Sequence, residues 1–379
     1  MNYPDIIIIG AGLMGASSAL NLARDGKKVV LLEKESSGIH ASAVNAGGVR
    51  RLNRAFAEIP ISAVAGEMWH QLSKIVGDDC GFHAVGQVRI GPGEREMKLL
   101  SDRVAQVEAL GFFHEELIDA KEVKRLVPAY RGSCRGGIVA RSDGFAQPAR
   151  TLRAFISAAI SEGVELHNRC RITAISNDKD GFIVKAGDGR QFRSEVVVNC
   201  AGAWGKHIAA LIGDDLPIEP AALTMMVTGR MKRFLTPVVG IEGQKLSFKQ
   251  MANGTVVIGG AHRAALDMKT EKNTVKVSAI KKSSETVMQH FPIMAKSIIV
   301  RCWAGIEGMV ADGLPIIAAS PDMPGFFHVC GFSAHGFQLS PMIGRLVASL
   351  AQAKKPELSL DAFSLHRFNK SSRTRIADG

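Results

Sequence analysis

The chain opens on two short apolar runs that flank a glycine-rich stretch. Ile6 to Ile9 and Val29 to Leu32 each hold four consecutive apolar residues, a pattern typical of buried parallel strands. Between them, Ala16 to Arg24 has the apolar spacing of a helix, and Gly26 follows as a helix-ending residue. The pattern predicts a strand, a helix and a second strand within about the first 33 residues.

The rest of the chain mixes helical and strand-like patterns. Helices are predicted near residues 61–75, 98–110, 149–160, 273–290 and 338–350, and strands near 87–90, 223–227, 245–248, 255–258 and 326–330. Between residues 219 and 260 the short strands alternate with turn signals. This indicates a mainly antiparallel sheet in a second, α+β domain, distinct from the α/β unit at the start.

Composition and charge exclude several classes of protein. The 379 residues are 46% hydrophobic and 22% charged, as in a globular protein with two lobes. No apolar run approaches the roughly 20 residues of a membrane span, and Met1 to Asp5 lacks the basic start of a signal peptide, so a cytoplasmic location is expected. The net charge of +11 is dispersed, without a nucleic-acid-binding motif. Six cysteines without a C-x-x-C pair predict no metal or iron–sulfur site in this chain.

The glycines between the first strand and helix form the pattern G-x-G-x-x-G. Gly10 would make the tight turn, Gly12 would let the backbone approach a pyrophosphate, and Gly15 would let the helix pack on the strand. Glu33 ends the second strand, where its carboxylate can bind the ribose hydroxyls of an adenosine and would repel a 2′-phosphate. The sequence thus predicts a Rossmann-type dinucleotide-binding domain that does not prefer NADP.

Three distant segments identify the dinucleotide more closely. Val196 to Trp204, Trp303-Ala304-Gly305 and Gly331 to Phe337 occur in this order along the chain. With the glycine motif, they resemble the D-amino acid oxidase (DAO) family of flavoproteins, and the resemblance spans residues 5 to about 350. It implies FAD and a discontinuous FAD-binding domain at 1–80, 145–215 and 320–379. The substrate-binding domain would then comprise 81–144 and 216–319.

The resemblance also implies which residues contact FAD. Ser42 matches a pyrophosphate contact, Gly47 and Gly48 would lie near the isoalloxazine ring, and the glycines before the last helix would face the flavin pyrimidine edge. The full set expected to bind FAD is Gly10, Gly12, Leu13, Met14, Gly15, Glu33, Lys34, Ser42, Asn45, Ala46, Gly47, Gly48, Ile172, Ala201, Gly202, Trp204, Gly305, Gly331, Gly336, Phe337 and Gln338. Non-covalent binding is expected, although a cysteine in the region of Cys302 holds FAD covalently in some relatives.

Four residues are candidates for the catalytic site. Arg50 aligns with a family arginine that binds the substrate carboxylate, and its planar fork suits that group. Gln338 and Glu307 stand where stand-alone family members carry a lysine and an arginine, and Glu307 could instead recognise a cationic substrate group. His335 is a candidate base, with His262 as an alternative.

Within the family, the chain is most similar to the beta subunits of heteromeric sarcosine oxidases, D-hydroxyproline dehydrogenases and opine oxidases. The resemblance implies oxidation of a secondary amine or amino-acid derivative by a subunit that passes electrons to partner subunits, one of which could carry an iron–sulfur cluster. FMN at a subunit interface is a further expectation. Two alternatives stay open: a stand-alone oxidase that produces peroxide, and a non-catalytic, flavin-binding relay subunit.

Overall fold

The computed structural model describes residues 3–368, which form two compact units. The first unit comprises residues 3–43, 152–220 and 307–368. The second comprises residues 44–151 and 221–306. The outermost parts of the predicted domains, residues 1–2 and 369–379, lie outside the described residues.

Strands and helices are numbered in chain order. The strands are β1 (Ile6–Ile9), β2 (Val29–Leu32), β3 (Gly48–Val49), β4 (Gln87–Gly91), β5 (Glu116–Asp119), β6 (Gly136–Ala140), β7 (Gly144–Phe145), β8 (Glu165–His167), β9 (Ile172–Asp178), β10 (Gly181–Ala186), β11 (Gln191–Ser194), β12 (Val196–Asn199), β13 (Glu219–Thr228), β14 (Val238–Ile241), β15 (Ser247–Gln250), β16 (Val256–Arg263), β17 (Ala265–Asp267), β18 (Lys272–Thr274), β19 (Ile299–Met309), β20 (Ile316–Ala319) and β21 (Phe326–Cys330). The helices are α1 (Leu13–Arg24), α2 (Ala41–Val44), α3 (Ile59–His70), α4 (Leu72–Val76), α5 (Glu94–Ala109), α6 (Ala120–Leu126), α7 (Pro148–Ser161), α8 (Gly205–Ala210), α9 (Val277–His290) and α10 (Gly336–Ala351).

The first unit is built on a six-stranded sheet in the order β20-β21-β12-β1-β2-β8. Strand β1 lies between β2 and β12 and is parallel to both, with Ile9 opposite Leu32 and Asn199. All four residues of β1 are buried, as expected for a central parallel strand covered on both faces. The edge strand β20 pairs with β21 in the antiparallel direction. The arrangement confirms the predicted Rossmann-type α/β domain.

The second unit is built on an eight-stranded sheet in the order β19-β13-β16-β15-β14-β4-β6-β5. Strands β14 and β4 are parallel, whereas the pairs from β13 through β16 to β15 and from β4 through β6 to β5 are antiparallel. Apolar residues of this sheet, among them Val239 and Phe248, pack with Phe291 in one core. The mainly antiparallel sheet and its helices confirm the predicted α+β class.

The boundaries of the two units in the chain differ from those of the predicted domains. Residues 44–80 and 145–151 belong to the second unit, and residues 216–220 and 307–319 belong to the first. Long-range pairing is the reason: β3 pairs with β7, and Asp143 accepts hydrogen bonds from the N–H groups of Arg51 and Leu52. Likewise, β20 pairs with β21 and joins the first sheet. Such pairings between distant segments leave no local signal in the sequence.

Several predicted elements have other bounds in the structure, and two predicted helices differ in kind as well. The helix expected at 61–75 is two helices, α3 and α4, because the chain turns at Gln71. The helix expected from residue 273 begins at Val277, and residues 272–274 form strand β18 instead. Within residues 3–368, every helix is too short or too polar to cross a membrane.

Candidate cofactor and substrate site

The glycine-rich turn between β1 and α1 has no room for side chains. Gly10 has a φ of +106°, and a Cβ there would lie 2.5 Å from the carbonyl oxygen of Cys200. A Cβ on Gly15 would lie 1.9 Å from the carbonyl oxygen of Gly10. Both distances are far inside van der Waals contact, so the turn requires glycine at these two positions.

The first turn of α1 is suited to bind an anion. Gly12 precedes it in an extended conformation without capping by a side chain, and no acidic residue lies in the turn formed by Leu13, Met14 and Gly15. The Leu13 N–H donates to the Oγ of Ser42 at 3.0 Å, and a Cβ on Gly12 would lie 2.9 Å from that oxygen. Exposed N–H groups and the positive end of the helix dipole stabilise a pyrophosphate at such a place.

The carboxylate of Glu33 is held at the end of β2. Its Oε2 accepts a hydrogen bond from the Ala11 N–H at 3.0 Å, and its Oε1 accepts one from the Glu35 N–H at 3.0 Å. A carboxylate has about four acceptor positions, so two positions remain for the hydroxyl groups of a ribose. Glu33 and the first turn of α1 therefore fit the adenosine diphosphate half of FAD.

Lys34 and Trp204 form a second contact in this unit. The Lys34 ammonium lies 3.9 Å from the centre of the Trp204 ring, and the ring of His40 lies 4.4 Å from it. Trp204 ends a 3₁₀ helix, Gly202–Trp204, that follows β12. Ile172 is at the start of β9 with its side chain in the core, so only its main chain is available to a cofactor.

A buried polar network, which the sequence did not reveal, holds the turn after β12. Asn199 donates to the carbonyl of Gly205 at 2.9 Å and accepts from the Ala201 N–H at 3.2 Å. His328 lies 3.2 Å from the Asn199 amide and 2.7 Å from the carboxylate of Asp214. Burial lowers the pKa of His328, whereas the Asp214 carboxylate opposes this shift. The network holds the backbone at Ala201, a predicted cofactor contact, and at Gly205.

The turn between β21 and α10 has an uncommon backbone. Gly331 has a φ of +72°, and the non-glycine residues Ser333 and Ala334 have φ values of +50° and +67°. Two bonds hold the turn: the Ser333 N–H donates to the carbonyl of Gly308 at 3.1 Å, and the Ser333 Oγ accepts from the Val310 N–H at 3.0 Å. Left-handed non-glycine residues cost about 1–3 kcal/mol each and cluster at functional sites.

Helix α10 begins beside the start of α1. A Cβ on Gly336 would lie 2.8 Å from the Cε of Met14, and one on Gly344 would lie 2.0 Å from the Oγ of Ser17. No acidic residue lies in the first turn of α10, where Phe337 and Gln338 are both buried. The two helices thus bring two positive dipole ends into the same region, one suited to a pyrophosphate and one to the negative edge of a reduced flavin.

Glu307 contacts the turn before α10. Its half-buried carboxylate accepts a hydrogen bond from the Ala334 N–H, and burial raises its pKa to about 7. Of the two histidine candidates, His335 lies in this same turn, where its backbone N–H donates to the Phe332 carbonyl at 2.8 Å, and His262 lies in β16 of the second unit. Burial, with Lys245 and Lys282, lowers the pKa of His262.

In the second unit, the segment Val44 to Gly48 is held at several points. The Val44 carbonyl accepts a hydrogen bond from the Trp303 indole at 2.7 Å, and the Asn45 side chain accepts one from the Gly47 N–H at 2.7 Å. The φ of Gly47 is +68°, and a Cβ there would lie 2.2 Å from the carbonyl oxygen of Ala146. Gly305 is buried in β19, two residues after Trp303.

Arg50 follows β3 and has no ion-pair partner among residues 3–368. Both hydrogen bonds of its guanidinium use Nη1, which donates to the carbonyls of Leu52 at 2.8 Å and Asn53 at 3.1 Å. Burial, with the neighbouring Arg54, lowers the pKa of Arg50 to about 9. The Nε and Nη2 edge is the part of the guanidinium that matches the two oxygens of a carboxylate. The carboxylates of Glu58 and Asp143 oppose the lowering of the Arg50 pKa from beyond ion-pair distance. The Nε and Nη2 edge is therefore suited to the carboxylate of a ligand.

Lys249, in β15, is a second buried cation, and sequence reasoning missed it. The residue is 3% exposed, and its ammonium donates to the carbonyl of Ala46 and lies 4.9 Å from the centre of the Phe145 ring. Burial lowers the pKa of Lys249 to about 7. Lys249 lies directly after the strand predicted at 245–248, and lysines at such positions are often in solvent, so only the sheet packing distinguishes this one.

Metal ligands do not come together in the part of the chain that the structure describes: no group of three His, Cys, Asp or Glu side chains could hold an ion.

Comparisons with known proteins match the chain to one family over nearly its whole length. The family model described as FAD dependent oxidoreductase (DAO) matches residues 5–350. A protein of Rhizobium meliloti that is one of the subunits of opine oxidase is 26% identical, covering 96% of this chain and 98% of the relative. Glycine oxidase of Geobacillus kaustophilus is 24% identical, covering 96% and 97%.

Solved structures share the fold. L-proline dehydrogenase from P. horikoshii superposes with a TM-score of 0.90 at 24% identity, covering 98% of this chain and 99% of that one. The family match also agrees with the pyrophosphate and ribose contacts that the first unit offers. The chain belongs to the DAO family of FAD-dependent oxidoreductases.

Proposed function

We propose that this chain is the catalytic, FAD-binding subunit of an enzyme that oxidises a secondary amine derived from an amino acid, such as an opine, sarcosine or D-hydroxyproline. The observation that carries the proposal is the unpaired guanidinium of Arg50. Arg50 is partly exposed, no carboxylate among residues 3–368 lies within ion-pair distance of it, and both of its hydrogen bonds use Nη1. A substrate carboxylate would bind the remaining edge with two parallel hydrogen bonds. The names of the relatives, opine oxidase and glycine oxidase, agree with a substrate that has an amine beside a carboxylate.

In such a reaction, bound FAD would supply the acceptor for a hydride from the carbon next to nitrogen. The protein's own residues have two tasks. Arg50 would hold the carboxylate and so orient the carbon–hydrogen bond. Glu307, with a pKa of about 7, would accept a proton from the substrate ammonium or pair with a cationic substrate group, because only the neutral amine can release a hydride.

The proposal includes non-covalent FAD. Cys302 packs against the apolar core of the second unit, and burial raises the pKa of its thiol. A thiol of this kind is a weak nucleophile and a poor site for covalent attachment to a flavin. Acid precipitation tests this point: the yellow flavin should stay in the supernatant, and a yellow pellet would contradict it.

Partner subunits are the second part of the proposal. Ile298 and Val300, beside and in the edge strand β19, are 74% and 61% exposed, and Phe113 and Leu117, near the opposite edge strand β5, are 75% and 47% exposed. Exposed apolar side chains along sheet edges favour association with other chains. A partner could carry an iron–sulfur cluster, and FMN could bind at the interface. Affinity purification from the native host, followed by iron and flavin analysis, tests both.

Anaerobic and aerobic assays distinguish this function from its alternatives. A subunit that acts as a dehydrogenase should be reduced by the amine without oxygen and should release little peroxide in air. Rapid peroxide release by the purified chain alone would identify a stand-alone oxidase. No reduction by any amine would leave a non-catalytic relay subunit. Cell fractionation would test the expected cytoplasmic location.

The role of Arg50 has its own test. Arg50→Met should weaken binding of amino-acid-derived amines by about a hundredfold or more, since a bidentate charged pair is lost. Arg141→Met is a matched control, because Arg141 is exposed and forms its ion pair with Glu116 within the protein. Equal binding by the Arg50 variant and the unmodified protein would contradict the proposed role.

A further inference from the structure

The ammonium of Lys249 has hydrogen-bonding capacity that the described residues do not use. It carries three N–H donors, and one of them is directed at the Ala46 carbonyl. Among residues 3–368, no carboxylate lies within ion-pair distance of it, and burial alone accounts for its lowered pKa. The nearby Phe145 ring offers only a weak attraction for the cation.

A lysine in this position reduces stability unless a ligand compensates its charge. Transfer of an ammonium group into a protein interior costs several kcal/mol, and unmet donors add to that cost. A methionine of similar length would fill the same space without either penalty. The two remaining N–H donors and the positive charge of Lys249 are suited to bind an anion.

Lys249 and Arg50 are linked through one short stretch of backbone. Lys249 contacts Ala46, and Arg50 lies four residues further along, after the extended residues of β3. The Cα atoms of Ala46 and Arg50 are therefore at most about 14 Å apart. Both side chains are long, and neither cationic group has a carboxylate within ion-pair distance among residues 3–368, although Glu58 and Asp143 act on Arg50 from further away. A single carboxylate bound by Arg50 in this way would leave the charge of Lys249 without an anion.

We propose that Arg50 and Lys249 each bind one carboxylate of the same substrate, a secondary amine that carries two carboxylates. This inference rests on the proposed oxidation of an amine and specifies the substrate class. In an N-carboxymethyl or N-carboxyethyl amino acid, four bonds of about 1.5 Å join the two carboxylate carbons, so these lie about 5 Å apart with nitrogen between them. Two cationic anchors would discriminate such a compound from an amine with a single carboxylate.

Ligand binding to the FAD-loaded protein tests the inference without turnover. Thiodiacetate has two carboxylates and a sulfur in place of the amine nitrogen, and (methylthio)acetate has one carboxylate. Titration of each, followed by the change in the flavin absorption spectrum, gives its Kd. Lys249→Met should weaken thiodiacetate binding about tenfold or more and leave the Kd of (methylthio)acetate within about twofold. Lys245→Met, at an exposed lysine before β15, is the matched control and should change neither value.

A stability measurement without ligand checks that the variant is intact. Lys249→Met should raise the Tm of the ligand-free protein, because it removes a buried and uncompensated charge. Thiodiacetate should then raise the Tm of the unmodified protein more than that of the variant. A Lys249→Met protein with a lower Tm would contradict the account, since it would show that the lysine serves the fold.

The inference and the proposed function can fail separately. If Lys249→Met changes both Kd values equally or changes neither, two carboxylate anchors are excluded, whereas reduction of the flavin by an amine would still support the proposed function. If no amine reduces the flavin but thiodiacetate binding depends on Lys249, the dicarboxylate site is supported and amine oxidation is contradicted.

Discussion

The carboxylate of Glu307 accepts a hydrogen bond from the backbone N–H of Ala334, a residue with a left-handed φ of +67°. The contact places an acid with a pKa of about 7 against the turn that starts α10. In the proposed function, Glu307 is therefore the carboxylate that would accept a proton from the substrate amine.

Glu307 should control the pH dependence of flavin reduction. Its carboxylate form predominates above its pKa of about 7, so the rate of reduction by an amine should rise as the pH increases through that value. Glu307→Gln should remove this rise, as measured by anaerobic stopped-flow absorbance between pH 6 and about 9. The same variant should lose any preference for arginine-derived over neutral amines. An unchanged pH profile would exclude proton transfer to Glu307.

Gly12 should determine FAD affinity. In Gly12→Ala, the new Cβ would lie 2.9 Å from the Ser42 oxygen that accepts the Leu13 N–H, so either the Ser42 side chain moves and breaks this bond or the first turn of α1 shifts. We expect FAD affinity to fall about tenfold or more, measured by the flavin content of the purified protein and by titration of the apoprotein. Gly240→Ala is the control, because its Cβ would meet no atom closer than 3.5 Å. Full flavin content in Gly12→Ala would contradict the pyrophosphate site.

Asn199 should stabilise the first unit and its cofactor turn. Asn199→Leu leaves the buried Gly205 carbonyl and the part-buried Ala201 N–H without their partner. We expect the free energy of unfolding to fall by about 1–3 kcal/mol, measured in urea, together with weaker FAD binding. A loss of stability with unchanged FAD affinity would show that the network supports the sheet but not the cofactor turn.

His290 should make the protein less stable in acid. It is 5% exposed, neither ring nitrogen has a hydrogen-bond partner among the described residues, and burial lowers its pKa. The pKa of His290 is lower in the folded state than its value of about 6.5 in the unfolded state. As the pH falls below about 6.5, the unfolded state therefore binds a proton more readily than the folded state, and the free energy of unfolding declines.

His290→Phe should keep the stacking on Tyr130, which lies 5.6 Å away at an interplanar angle of 6°, and remove the titration. The free energy of unfolding, measured in urea between pH 7.5 and about 5, should therefore fall less steeply in the variant. Because one histidine binds at most one proton, the free energy of unfolding of the two proteins can differ in its pH slope by at most about 1.4 kcal/mol per pH unit. Parallel curves would show that His290 does not titrate on unfolding.

The predictable part of the site depends on residues that are close in sequence. Gly10, Gly12 and Gly15 lie in one turn, and Glu33 ends the next strand, so strand and helix periodicity alone positions them. The resemblance to a family added the turn before α10 and the segment around Gly47. Arg50 came from that resemblance too, but its unpaired state is visible only in the structure.

The remaining part depends on contacts between distant segments. Lys249 meets Ala46 across about 200 residues of chain, and His328 meets Asp214 across about 110. Neither pair forms a motif, because each is created by strand pairing that single-sequence periodicity does not specify. The position of residues 44–80 in the second unit has the same origin.

Anaerobic titration of the purified, FAD-loaded protein with a panel of amines tests the central claim most directly. The panel should hold sarcosine, proline and hydroxyproline isomers, D-amino acids, iminodiacetate and opines. The account predicts that a secondary amine bleaches the visible flavin band and that Arg50→Met abolishes the effect at the same amine concentration. If no amine bleaches the flavin while dithionite does, the chain does not oxidise amines and the account is contradicted.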